Sequence, residues 1–80
     1  MTPDLFREAG AAIYGADWRA HLAARSGINI RNIRRMAKGE TKIGRELAGL
    51  IVNLLLHTAD LYPKRKEALA RVIADILAAP

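Results

Sequence analysis

The chain has no cysteine, so a disulfide framework, a thiolate-ligated metal and thiol catalysis are all closed to it. Aromatic residues are scarce. Phe6, Tyr14, Trp18 and Tyr62 are the whole set, and none interleaves with the main basic run. That argues against a binder of single-stranded nucleic acid, which needs rings on which successive bases stack. Apolar runs stay short, Leu54-Leu55-Leu56 among them, against the roughly 20 residues of a membrane-spanning helix. The N-terminus lacks the basic stretch and apolar run of a secretory signal, so a cytoplasmic protein with no membrane partner is expected. His21 and His57 are distant from each other and have no ligand set around them, so no metal site is expected. No carboxylate pair, nucleophile–base arrangement or phosphate-cradling glycine loop appears. Neither an enzyme nor a cofactor is therefore expected.

Acidic residues are also few. Eight of them face 13 lysines and arginines, for a net charge of +5 and a pI of about 10.3. The distribution matters more than the total. From Arg19 to Arg45 there are eight basic residues (Arg19, Arg25, Arg31, Arg34, Arg35, Lys38, Lys42 and Arg45) and one acid, Glu40, a net +7. A middle third this basic on a near-neutral frame points to a polyanion-binding surface. With 80 residues the chain makes one domain, 1–80, close to the lower limit for a self-sufficient core. Without disulfides or metal, self-association is the remaining supplement.

Helical periodicity dominates, and no stretch alternates like a strand, so the expected class is all-α with five helices. Thr2 is placed to cap the first helix, with Pro3 at its first position and Asp4 near the positive end of the dipole. Leu5, Ala9, Ala12 and Ile13 share a face, and Gly15 ends the helix. Asp17 is expected to cap a second helix, Trp18 to about Arg25. Ser26-Gly27-Ile28 reads as a turn. Asn29 caps a third helix, Ile30 to about Lys38, closed by Gly39, with Ile33 and Met36 inward. After a loop from Glu40 to Ile43, a fourth helix runs from about Gly44 to Leu61. Its apolar stripe is Leu47, Leu50, Ile51, Leu54, Leu55 and Leu61, with Val52 and Leu56 off it. Pro63 breaks the chain and starts a fifth helix, 63–78, carrying Leu69, Val72, Ile73, Ile76 and Leu77.

The informative stretch is Arg19 to Gly39. Two short helices joined by three or four residues must cross steeply. That needs a small residue where their backbones approach and one tolerant of positive φ in the turn. Ala23 and Gly27 supply these, and Leu22, Ile28, Ile33 and Met36 point inward. Ile30, Arg31, Arg34, Arg35 and Lys38 are left outward.

In Leu22-Ala23, Gly27-Ile28, Ile33, Met36 and Lys38-Gly39-Glu40 the chain resembles the λ-repressor/Cro-like (XRE-type) helix-turn-helix family, over roughly residues 4–60. It departs at Ser26, where an apolar residue is usual, and at Arg19, where glutamine is common. The resemblance implies a five-helix fold whose second and third helices form a helix-turn-helix. It also implies binding of double-stranded DNA with the third helix in the major groove. Asn29, Ile30, Arg31 and Arg35 would then face base edges, while Arg19, Lys38, Lys42 and Arg45 flank the backbone. Arg34 stands open between base and phosphate. Arginine can grip guanine O6 and N7 with two parallel hydrogen bonds, giving roughly 1–3 kcal/mol of discrimination. Ile30 could pack on a thymine methyl or on a neighbouring helix.

The function this implies is a sequence-specific transcriptional regulator, a repressor or autoregulator. It would act as a homodimer on a palindromic operator. Apolar residues left over in the C-terminal half (Val52, Leu56, Leu69, Val72, Ile73 and Ile76) are expected at the dimer surface. The alternative for those on the fifth helix is that it folds back and completes a monomeric core. The alternative function is a protein-docking module on the same scaffold, such as a small phage-type inhibitor or an antitoxin.

Overall fold

Thr2 and Pro3 start the first helix as their chemistry dictates. In the computed structural model, which describes residues 1–79, α1 spans Pro3–Tyr14, and the Thr2 hydroxyl accepts a 3.2 Å hydrogen bond from the Leu5 amide. A 3-10 turn, Gly15–Asp17, leads into α2, Trp18–Ser26; then come α3, Ile30–Ala37, and α4, Arg45–Leu61. A second 3-10 turn, Pro63–Arg65, opens α5, Lys66–Ala78. The protein is all-helical: among the described residues there is no strand, and no helix is long and apolar enough to cross a membrane.

Asp17 does not cap α2. Its φ and ψ of −92° and 25° leave it close to helical, and its side chain makes no capping bond. A capping side chain normally folds back from extended backbone onto the amides of the first turn, and the 3-10 turn removes that geometry.

The core is organised by an aromatic pair the periodicity did not single out. Phe6, rather than Leu5 or Ile13, is the fully buried large side chain of α1, beside the equally buried Ala9. It meets Trp18 edge-on, with ring centres 5.2 Å apart and planes at 87°. The indole lies flat against Gly10, where a Cβ would fall 2.3 Å from its ring. Gly10 therefore lets α1 and α2 approach. Leu22, Ile33, Met36, Ala37, Leu47, Ile51 and Leu55 complete the centre. Leu61, expected on the stripe of α4, is 60% exposed because the helix ends there and the chain turns away toward Pro63.

The last helix folds back on α4 and α1. Leu69, Val72 and Ile76 are thereby buried in the chain's own core, which corrects their assignment to a dimer surface. Each such burial contributes about 1.5–3 kcal/mol, which a chain this small cannot forgo. The radius of gyration, 11.7 Å, agrees with the ~11.6 Å of a compact 80-residue domain, so α5 is docked rather than projecting. Of the expected surface, Val52 and Ile73 are half-buried and Leu56 is exposed. Leu77, 71% exposed, lies beside Val52 at the edge of a groove between α4 and α5.

Ion pairs also join the outer helices. Arg71 on α5 bonds Glu8 on α1 and, at 3.0 Å, Asp75 one turn on. The hydrogen bond and charge of Glu8 raise the arginine's pKa above its ordinary value. Arg7 pairs with Asp4 and also donates to the Ala37 carbonyl, tying α1 to the end of α3.

Candidate nucleic-acid interface

The joint between α2 and α3 rests on three local devices. Gly27 takes the left-handed conformation at φ 76°, and its amide bonds the Ala23 carbonyl at 3.0 Å, closing α2. An L side chain there would be strained by roughly 1–2 kcal/mol. Ser26 accepts a 3.2 Å bond from the Ile28 amide through its hydroxyl oxygen. The serine therefore braces the turn with a hydrogen bond. Asn29 starts α3: its Oδ1 accepts from the Arg31 amide at 2.8 Å. That oxygen spends one of its two lone pairs on the cap, and the amide nitrogen of Asn29 keeps both its donors for an outside partner.

The far end of α3 is equally defined. The Glu40 amide bonds the Arg35 carbonyl at 2.9 Å and the Gly39 amide bonds the Met36 carbonyl at 3.1 Å, with Gly39 at φ 80°. This is the Schellman arrangement, which satisfies carbonyls the helix would otherwise leave open.

With both ends set, the faces of α3 follow from its period. Ile33, Met36 and Ala37 are buried. Arg31, Arg35 and Lys38 lie opposite them and are exposed, with exposed Arg34 on one flank. Ile30 sits on the same flank, half-buried. It lines a shallow depression with Ala16, Asp17, Arg19, Ala20, His21 and Arg34. The fold thus brings Arg19, Ile30 and Arg34 together. The Arg19 guanidinium stacks 4.6 Å over the Trp18 ring, which orients it at the start of α2.

Two of the expected backbone-flanking residues stand apart from this depression. Lys42 is exposed on the loop after α3, beside Met1 and Pro3. Arg45 is exposed in the first turn of α4, beside the groove that holds Leu77. Two neighbours were not anticipated. Asp17 places a carboxylate at the depression, and His21 lines it while stacking on Tyr14, ring centres 5.3 Å apart. Their spacing of four from Asp17 to His21 would have set them one turn apart on a helix, but nothing in the sequence showed that Ile30 and Arg34 would pack alongside.

The electrostatics of this face are lopsided. Among the described residues the ion pairs are Asp4–Arg7, Glu8–Arg71 and Arg71–Asp75, and none includes a side chain between Arg19 and Arg45. Arg31 with Arg35 and Arg34 with Lys38 are like charges one turn apart, each pair costing a few tenths of a kcal/mol. Arg34, Arg35 and Lys38, near the negative end of the helix dipole, recover part of that cost, whereas Arg31 sits at its positive end and does not. The cluster therefore contributes little or nothing to folding, and its charge is free for an external anion. Comparison with protein-family models, curated proteins and solved structures finds no match for this chain.

Proposed function

We propose that the chain binds double-stranded DNA with α3 in the major groove, as a helix-turn-helix transcriptional regulator of the repressor or autoregulator kind. The observation that carries this reading is the outer face of α3, where exposed arginines form no ion pair with any carboxylate among the described residues. A short helix with a bare cationic side, set by a tight turn against a second helix, suits a groove about 12 Å wide that admits one helix. In this reading Arg31 and Arg35 face base edges, with Arg34, Lys38 and Arg19 toward phosphates. Ile30, half-buried against α2, has at most its outer edge for a thymine methyl. Lys42 and Arg45 reach the backbone from outside the central cluster.

One α3 reads only a few base pairs, so tight specific binding calls for two copies and a palindromic site, with half-sites ~34 Å apart. Of the apolar residues in the C-terminal half, Val52, Leu56, Ile73 and Leu77 are among those left for a two-fold contact. Selection of bound fragments from random duplex, followed by fluorescence anisotropy on the selected site, tests the whole reading. A complex with ~6–10 phosphate contacts loses ~10³–10⁵ in affinity from 50 to 200 mM salt. An affinity that barely moves over that range would instead favour a protein-docking module.

A further inference from the structure

Three further basic side chains form no ion pair among the described residues. Lys64, Arg65 and Lys66 follow Pro63 in direct succession and are all exposed. The fold brings them to the end of α1. The Arg65 guanidinium donates a 2.5 Å hydrogen bond to the Ala12 carbonyl and lies 5.7 Å from the centre of the Tyr62 ring. From that end the chain runs straight into the Gly15–Asp17 turn and α2. Tyr14 stacks on His21, and His21 shares the depression of Arg19, Ile30 and Arg34. A continuous run of contacting residues therefore joins Lys64–Lys66 to the α2–α3 surface.

Folding gives no reason for this charge. The three cations sit at the start of α5, the positive end of its dipole, where basic residues are unfavourable. Asp60 and Glu67 are the nearest acids in sequence, and among the described residues neither forms an ion pair with the cluster. Only Arg65 has a structural task.

We propose that Lys64 and Lys66 form a second contact to the phosphate backbone of duplex DNA, beside the groove that α3 enters. Arg65 is the positioning residue that holds them against α1. The inference rests on the DNA-binding reading above. A phosphate contact fixes register and adds affinity without reading bases.

The test is anisotropy of the full chain on selected and random duplex from 50 to 200 mM salt, with Lys64→Ala/Lys66→Ala beside Arg31→Ala. The lysine variant is expected to weaken both duplexes by the same factor. Its plot of log affinity against log salt should flatten by about two for each bound copy, at ~0.9 per lost contact, and so by about four for a two-copy complex. Arg31→Ala is expected to weaken the selected duplex more than the random one. Glu67→Gln removes a neighbouring negative charge and is expected to tighten both, a gain that unfolding cannot mimic. A wild-type slope in the lysine variant, with Arg31→Ala impaired, overturns this contact alone, as does a Glu67→Gln affinity that fails to rise. Absence of duplex binding by the wild type overturns this contact and the DNA reading together.

Discussion

On the α1–α5 side, Arg7 pairs with Asp4, and Arg71 bridges Glu8 and Asp75. On the α2–α3 side, Arg31, Arg34, Arg35 and Lys38 are exposed and, among the described residues, form no ion pair. Both sides are exposed, so solvent access does not distinguish them. The difference is that one set of cations is used to join helices and the other is withheld from the fold. Cations that repel one another without joining helices are the ground of the DNA-binding proposal.

This contrast can be broken from either side. The largest effect is expected from Arg31→Ala and Arg35→Ala. Each should weaken binding to a selected duplex by roughly 1–3 kcal/mol and relax base preference at one position, with thermal stability unchanged. Lys42→Ala, a phosphate contact, should weaken all sequences about equally. Competition anisotropy against single-base variants of the site separates the two. Wild-type binding by both arginine variants would remove α3 as the reading surface.

Next is Gly10→Ala, which leaves every charge in place but drives a methyl into the Trp18 ring. Overpacking of this kind costs roughly 1–3 kcal/mol in stability, measured by urea unfolding. Because Trp18 also carries Arg19, duplex affinity should fall along with stability. A stable Gly10→Ala variant would mean that α1 and α2 do not pack through this contact.

The smallest effect is expected from Arg71→Ala. Exposed ion pairs are screened by water and salt, so the melting temperature should drop slightly at low salt and recover at high salt. Duplex affinity should not change. The arginine's raised pKa means its stabilisation is fully present below the ordinary arginine range and is lost only in strong alkali. The arginine therefore contributes no pH dependence near neutrality. A loss of DNA binding in this variant would erase the distinction between the two sides.

Much of the local structure was legible because its causes are local. Thr2, Pro3, Gly27, Asn29 and Gly39 act through their own backbone and the next few amides, so the starts of α1 and α3 and the turn between α2 and α3 follow from residue type. The outward face of α3 was legible for the same reason, since period 3.6 separates Ile33 and Met36 from Arg31 and Arg35. Asp17 misled because capping depends on the backbone angle before the helix, which the 3-10 turn changed. Phe6 was overlooked because a single aromatic off the main stripe signals nothing until its partner, Trp18, is in place.

Sequence by itself determined the all-helical class, the joint between α2 and α3 and the concentration of unpaired positive charge, because propensity, capping and periodicity operate within a turn or two of the chain. Tertiary structure alone decided the fate of α5. Leu69, Val72 and Ile76 have the same apolar period whether they face a second copy or their own core, and only the packing of α5 on α1 and α4 chooses between them. It also decided that Arg65 meets Ala12 and that Ile30 and Arg34 lie against Arg19. Contacts between residues distant in sequence depend on how helices pack, and no local rule specifies that.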